Sequence, residues 1–199
     1  MDAEAWNARY ASSDLVWGAD PNRFVAAELA DLAPGRALDL ACGEGRNAIW
    51  LASRGWTVTA VDFAGAAIDK GRRLAAHEGV QVEWRVDDVT AFKPDAGFDL
   101  LLWSYLQLAG SDRERALQHA IGAVAPGGTF LFIAHDLRNL AEGVGGPSEA
   151  SVLYRAADIA SLLAGFTIVH AGEVLRPVMR DDGTTADAID CLVRAVRYP

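Results

Sequence analysis

The sequence predicts an α/β, doubly wound domain: a seven-stranded, mostly parallel sheet with the last strand antiparallel and helices on both faces. Three observations carry this. From Arg36 onward, short aliphatic or β-branched runs alternate with amphipathic stretches of helical period. The first run ends in a glycine turn that opens a helix. The last two runs are separated by turn residues and no helix, so they form a hairpin and the final strand reverses. The chain has 199 residues, of which 51% are hydrophobic, enough for one core without a metal or disulfide staple. With no repeat, low-complexity tract or linker, residues 1–199 read as a single domain. Residues 1–33 form a helical lid and 34–199 the core.

Taken in order, Glu4 to Tyr10 and Asn22 to Leu32 are helices that belong to no βα unit, and their expected place is over the open end of the sheet. The strands are Ala37 to Ala41, Thr57 to Asp62, Val80 to Val86, Phe98 to Trp103, Thr129 to Ala134, Phe166 to Ala171 and Ala188 to Val196. In the third, Val80, Val82, Trp84 and Val86 share a face. The helices between them run from Asn47 to Arg54, Ala66 to His77, Asp112 to Val124 and Ala156 to Leu163. Pro126-Gly127-Gly128 precedes the fifth strand, Glu142 to Ser148 reads as a loop, and Asp181-Asp182-Gly183 turns the last hairpin.

Charge narrows the function. Eighteen basic against 27 acidic residues give −9, a field that repels a nucleic-acid backbone. Met1-Asp2-Ala3-Glu4 has neither the basic start nor the apolar run of a secretory signal, and no apolar run reaches transmembrane length, so a cytoplasmic protein with no membrane partner is expected. Cys42 and Cys191 make neither a disulfide framework nor a zinc spacing, and no metal site is expected.

The turn Leu38-Asp39-Leu40-Ala41-Cys42-Gly43-Glu44-Gly45-Arg46-Asn47-Ala48 has the context of a nucleotide site, with Gly43 and Gly45 allowing close approach of a ligand. Read alone, Gly43-x-Gly45-x-x-Ala48 also satisfies a relaxed dinucleotide fingerprint, and Asp62 at the end of the second strand suits a ribose in either case. Charge separates the two ligands. A pyrophosphate beside Asp39 and Glu44 would meet like charge, each contact at ~4 Å costing about 4 kcal/mol at an effective dielectric of 20, only partly offset by Arg46. A ligand bearing an ammonium and a sulfonium would be favoured there.

Asp39-x-Ala41-x-Gly43-x-Gly45 resembles the acidic-x-Gly-x-Gly-x-Gly turn of the class I S-adenosylmethionine-dependent methyltransferases, with Ala41 where a glycine is usual. Alanine is expected to be tolerated there at a negative φ. Val61-Asp62-Phe63 resembles the family's second motif and Asp87-Asp88-Val89 its third, implying Asp62 on the ribose, Phe63 and Val89 against adenine, and Asp88 accepting from the adenine amino group. Trp103-Ser104-Tyr105-Leu106-Gln107-Leu108 is similar to the loop that faces cofactor and acceptor. The resemblance implies a Rossmann-like sandwich and S-adenosylmethionine as cofactor, with Asp39, Ala41, Cys42, Gly43, Gly45 and Trp103 also on it. Asp62 and Asp88 each have a structural alternative, since Asp at a strand end commonly caps the next helix. Asp99 and the histidines His77, His119 and His170 read as packing or solvated residues.

Trp6-x-x-Arg9-Tyr10 and Gly45-Arg46-Asn47 resemble the tellurite-resistance and thiopurine methyltransferase branch, whose members act on small, often soft or xenobiotic acceptors. This implies a small-molecule acceptor in a pocket walled by Trp6, Tyr10, Trp17, Tyr105 and Gln107. A thiol or soft anion needs no base; a hydroxyl or amine does, and His135 at the end of the fifth strand is the candidate. Two other classes fit the same turn: a nicotinamide-dependent oxidoreductase, and a catalytically silent binder of S-adenosylmethionine.

Overall fold

In the computed structural model, which describes residues 2–95, 97–180 and 182–199, the strands are β1 (Arg36–Leu40), β2 (Thr57–Asp62), β3 (Glu83–Val86), β4 (Phe98–Ser104), β5 (Val124–His135), β6 (Phe166–Met179) and β7 (Thr185–Arg197). They form one seven-stranded sheet in the order β3-β2-β1-β4-β5-β7-β6. β1 pairs in parallel with β2 and β4, and β2 with β3 and β4 with β5 likewise. β7 lies antiparallel between β5 and β6. The fold expected from the sequence is the one observed. Strand order leaves β1 and β4 adjacent at the centre with their connections leaving in opposite directions, and the crevice at this switch point, at the carboxyl ends, is where such sheets bind ligands.

Strand parity builds two cores. Leu38, Leu40, Leu101, Trp103, Phe130 and Phe132 face α5 (Gly110–Ala123) and α7 (Ala156–Ser161). Ala37, Leu100, Leu102, Leu131 and Ile133 face the other way, toward α2 (Arg23–Leu29) and α3 (Arg46–Ser53). β4 is covered on both faces, so Leu100, Leu101, Leu102 and Trp103 are all fully buried. Each such side chain contributes roughly 1.5 to 3 kcal/mol of burial.

α1 (Ala3–Ala11) packs on α4 (Gly65–His77), where Asn7 Oδ1 accepts the Ala66 amide at 2.9 Å. Asn22 caps α2 by accepting from the Phe24 amide at 2.9 Å, while its own amide donates to Asn47 Oδ1 of α3 at 2.8 Å. The N-terminal segment is thereby seated over the carboxyl ends of β1 and β2.

Several boundaries differ from expectation. β3 keeps only the last four residues of the run from Val80, because it is an edge strand paired on one side; Val86 is exposed instead of sharing a buried face. β5 starts at Val124, so Pro126-Gly127-Gly128 lies inside a strand, at a shift in its register with β4. β6 continues to Met179 and β7 starts at Thr185, making a much longer hairpin. In its turn, Asp182 Oδ1 accepts the Thr184 amide at 2.9 Å; Asp181 lies outside the described residues. A short helix α6 (Asn139–Glu142) precedes the glycine loop, and α7 ends at Ser161 rather than Leu163.

Candidate functional site

The turn from β1 to α3 holds three residues in the left-handed region: Ala41 at φ +54°, Gly43 at +57° and Gly45 at +81°. The negative φ expected at Ala41 is not found. A β-carbon in this region costs about 1 to 2 kcal/mol, part of which returns as chain entropy when glycine replaces alanine. Ala41→Gly is therefore expected to stabilise the fold by about 0.5 to 1 kcal/mol in urea melts. A loss of stability would show that the turn's own contacts, and not its dihedral, hold alanine in place.

Gly43 and Gly45 are required for different reasons. A β-carbon on Gly45 would overlap the Trp84 ring, which also covers Gly71 of α4. The expectation that Gly45 clears room for a ligand is corrected: its missing side chain makes room for an indole. A β-carbon on Gly43 would lie 2.8 Å from the Tyr10 hydroxyl. That hydroxyl accepts from Trp17 Nε1 at 3.2 Å, so the leading segment lies directly on the turn.

Carboxylates at the site have three different fates. Asp62 is buried at the end of β2 and accepts the Gly43 and Ala64 amides, both at 2.8 Å. Burial still raises its pKa against the lowering effect of those bonds. It thus does what a capping aspartate does, while each oxygen keeps a lone pair for a further donor. Glu44 does not face the turn's interior, contrary to the charge argument from sequence. Its Oε1 is 3.1 Å from Lys70 Nζ and its Oε2 accepts the Val16 amide at 2.9 Å, while Lys70 also donates to the Ser13 carbonyl. Glu44 and Lys70 together fasten residues 13–16 to α4.

Asp39 has no hydrogen-bond partner on either oxygen among the described residues, although it is almost wholly buried. Burial and the neighbouring Asp62 push its carboxyl up to about 7, against the pull of Arg46 and of the nearby Ala48 amide, which does not reach hydrogen-bond geometry. A buried polar group without a partner is expensive, and this one sits one residue before the end of β1, directly below the turn. The donor set fits a cationic ligand head.

At the next strand ends, Asp88 is exposed and its Oδ1 accepts the Thr90 amide at 2.8 Å, closing the turn after β3. Val89 packs against the α5 core, and Phe63 lies with Trp6 beside Tyr10. The Asp87 amide donates to the Asp62 carbonyl at 3.1 Å, bringing the two motifs to one edge. Cys42 packs on the α3 face, with its thiol pushed up by burial. Trp103 is a correction: its side chain is fully buried on the α5 face, stacked on Phe132, with its indole N–H donating to the Leu106 carbonyl at 3.0 Å. That side chain belongs to the core and not to a ligand.

On the acceptor side, Trp6 stacks on Tyr10 with centroids 5.5 Å apart, and the Arg9 guanidinium lies between the Trp6 and Trp17 rings at 5.2 and 5.1 Å. Arg46 Nη1 donates to the Trp17 carbonyl at 3.1 Å. Gln107 is half-buried on the loop after β4. Tyr105, also at φ +54°, donates to Asp190 Oδ2 at 2.6 Å, and burial and that carboxylate raise its pKa. Arg176 Nε donates to the same oxygen at 2.7 Å, and His135 Nδ1 lies 3.1 Å from Asp190 Oδ1. Asp190 and Arg176 were not among the residues expected here. The available signal was a lone carboxylate inside the apolar run Ala188-Ile189-Asp190-Cys191-Leu192.

A cavity of about 410 Å³ lined by Leu117, Ile121, Tyr154 and Ile159 lies between α5 and α7, away from this crevice. No helix among the described residues is long and apolar enough to cross a membrane.

The strand order, with β7 inserted antiparallel between β5 and β6, differs from the 3-2-1-4-5-6 order of dinucleotide-binding sheets. Residues 37–128 match the family described as a methyltransferase domain. The fold is that of the class I methyltransferases. The unpaired Asp39 below the turn would fit the ammonium of S-adenosylmethionine, the ligand that the resemblance implies. Among curated relatives, the 2-heptyl-1-hydroxyquinolin-4(1H)-one methyltransferase of Mycobacteroides abscessus is 31% identical over 121 residues, which is 59% of this chain and 53% of the relative. The chain therefore spans about half the length of such relatives. Two solved structures align over nearly the whole methyltransferase-like fold. One, described under the conversion of a disulfide bond into a thioacetal group during echinomycin biosynthesis, is 26% identical with a TM-score of 0.77, covering 98% of this chain and 91% of the other. The second, the N-methyltransferase NodS of Bradyrhizobium japonicum in complex with S-adenosyl-L-homocysteine, is 18% identical with a TM-score of 0.76 and covers 100% of both chains.

Proposed function

We propose that this chain is an S-adenosylmethionine-dependent methyltransferase that acts on a small-molecule acceptor, in keeping with the resemblance to the tellurite-resistance and thiopurine branch. The observation that carries the reading is Asp39: a buried, unpartnered carboxylate beneath a turn whose backbone is shaped for close approach. An incoming ammonium would give it the partner it lacks. In this reading Asp62 receives the ribose hydroxyls, Phe63 and Val89 cover the adenine, Asp88 accepts its amino group, and the backbone from Ala41 to Gly43 borders the methionine portion. Gly45 supports the turn from below through Trp84.

Tyr10, Trp6 and Trp17 close the crevice from above, held by Glu44, Lys70 and Arg46. The bound cofactor supplies a methyl group already activated on a sulfonium. The chain's task is then to hold an acceptor in line with that methyl, to present aromatic faces to positive charge, and to keep water out. An acidic chain suits a small molecule better than a nucleic acid. Support also comes from two relatives: one is named for a hydroxyquinolone acceptor, and the other is described with a disulfide-to-thioacetal conversion. A hydroxyl, a thiol or another soft nucleophile is thus the acceptor class to test.

Calorimetry with S-adenosylmethionine, its demethylated product and NAD is the direct test. The first two are expected to bind and NAD is not. Asp62→Ala is expected to weaken S-adenosylmethionine at least tenfold, since a charge-assisted hydrogen bond contributes about 1.5 to 3 kcal/mol, and to lower stability as well, since the Gly43 and Ala64 amides lose their acceptor. Binding of NAD in place of S-adenosylmethionine would defeat the reading, and unchanged affinity in Asp62→Ala would remove that residue from the ribose.

A further inference from the structure

We propose, building on the reading above, that His135 is the general base of this enzyme, that Asp190 is its positioning residue, and that the acceptor presents a hydroxyl. Four observations converge on the imidazole. Its Nδ1 lies 3.1 Å from Asp190 Oδ1, the carboxylate of a residue with no exposed surface. The Tyr105 ring meets it edge-on at 4.9 Å. From the other side the glycine loop leaves no space: a β-carbon on Gly146 would lie 3.0 Å from Nδ1 and 3.1 Å from Cε1. Finally, Nε2 takes part in none of the hydrogen bonds among the described residues, and the side chain retains some exposure. The ring is fixed on three sides and open at Nε2.

Its place in the sheet is right for the chemistry. His135 has the parity of Leu131 and Ile133, so it is on the α3 side of β5, the face that Tyr105, Asp190 and Arg176 also occupy. Two residues before it, Ile133 pairs with Ser104 of β4, and β4 pairs with β1, whose end carries the turn. Two strand spacings, about 10 Å, separate the strand that carries His135 from the strand that carries the turn.

A thiolate would need none of this apparatus. A hydroxyl does: its oxygen forms the new C–O bond, the sulfonium C–S bond breaks with its electron pair passing to sulfur, and the hydroxyl proton goes to Nε2. Asp190, 3.1 Å from Nδ1, then faces an imidazolium whose charge it stabilises. The contact lacks the alignment of a full hydrogen bond as it stands, a common condition of catalytic pairs before substrate arrives. Among the described residues, the charged and titratable groups around the ring are Asp190 from β7, Tyr105 from the loop after β4 and Arg176 from β6, whose Nε bonds Asp190 Oδ2, with Arg46 of α3 close to Tyr105 and Arg176. Asp136, the next residue, turns its carboxylate away to the Arg138 amide.

Three measurements test the proposal on the full chain. Nitrogen NMR of the neutral His135 ring is expected to show the proton on Nδ1, and Asp190→Asn to shift it toward Nε2; a wild-type ring protonated on Nε2 would overturn the assignment without any acceptor being known. With 2-heptyl-1-hydroxyquinolin-4(1H)-one and small phenols against thiophenol as probes, His135→Gln is expected to lose at least 100-fold in kcat on the hydroxyl probes. Methylation of thiophenol alone, or full hydroxyl turnover by His135→Gln, would overturn it. Calorimetry of S-adenosylmethionine on both variants, expected to match wild type, separates this failure from failure of the cofactor reading.

Discussion

Asp39→Asn is expected to raise the melting temperature at pH 8 by about 5 °C, to leave it unchanged at pH 5, and to weaken S-adenosylmethionine at least tenfold. The carboxyl stands at about 7 in the folded chain against an ordinary value of 3.8. Between those values the folded state keeps a proton that the unfolded state has lost, so stability falls as pH rises from about 4 through 7. The full difference is on the order of 4 kcal/mol, and asparagine, itself left without partners, recovers about half. At the size of this chain ~2 kcal/mol corresponds to about 5 °C. Binding has the opposite sign. A cationic head favours the ionised carboxyl, so affinity for wild type should fall as pH drops below about 7, and this dependence should vanish in Asp39→Asn. Thermal scans and calorimetry across pH 5 to 8 check both, and a stabilisation equal at the two pH values would show that Asp39 is not the titrating group.

Gly45→Ala should be the most damaging single-methyl change in the turn, at about 3 kcal/mol. Left-handed backbone at φ +81° contributes about 1 kcal/mol and overlap with Trp84 the remainder. A double-mutant cycle with Trp84→Leu separates the two: the smaller ring-free side chain should remove the overlap and leave only the dihedral cost. A coupling energy of about 1 to 2 kcal/mol in urea melts is the expected result. Strict additivity would mean that the indole is not the reason for this glycine. Gly43→Ala should behave differently, because the group it meets is the Tyr10 hydroxyl, and its effect should fall on the leading segment more than on the core.

The fold was legible because its signals are local and repeated. β2 was placed to the residue, since Thr57 to Asp62 is an uninterrupted run between two aromatics, Trp56 and Phe63, and the antiparallel β7 followed from the lack of a helix before it. What failed depended on neighbours. Val80 to Val86 alternates well enough for a long strand, but an edge position with only β2 beside it pairs four residues. Trp103 occupies a motif position at the end of β4, yet parity with Leu101 turns its ring toward α5. The turn was found from its glycines, whereas the left-handed Ala41 and the indole under Gly45 are set by tertiary contacts that spacing does not encode. Asp190 and Arg176 belong to no motif; they meet because the hairpin register sets Val174 opposite Asp190, with Arg176 next on the same side.

That hairpin has a dynamic consequence. β5 covers β7 only from His135 opposite Asp190 to Thr129 opposite Val196, while β6 and β7 remain paired as far as Met179 and Thr185. Beyond Ala188 the pair is a two-stranded ribbon, with Met179 in water, and such ribbons are marginal by themselves. Its base is anchored: the Ile189 amide donates to Asn139 Oδ1 at 2.7 Å, the Asp136 amide donates to the Ile189 carbonyl at 3.0 Å, and Arg176 holds Asp190. Amide exchange should therefore be fast from Thr185 to Asp187 and slow abruptly at Ile189, so that the ribbon frays in solution while the carboxylate at its root stays fixed beside the crevice.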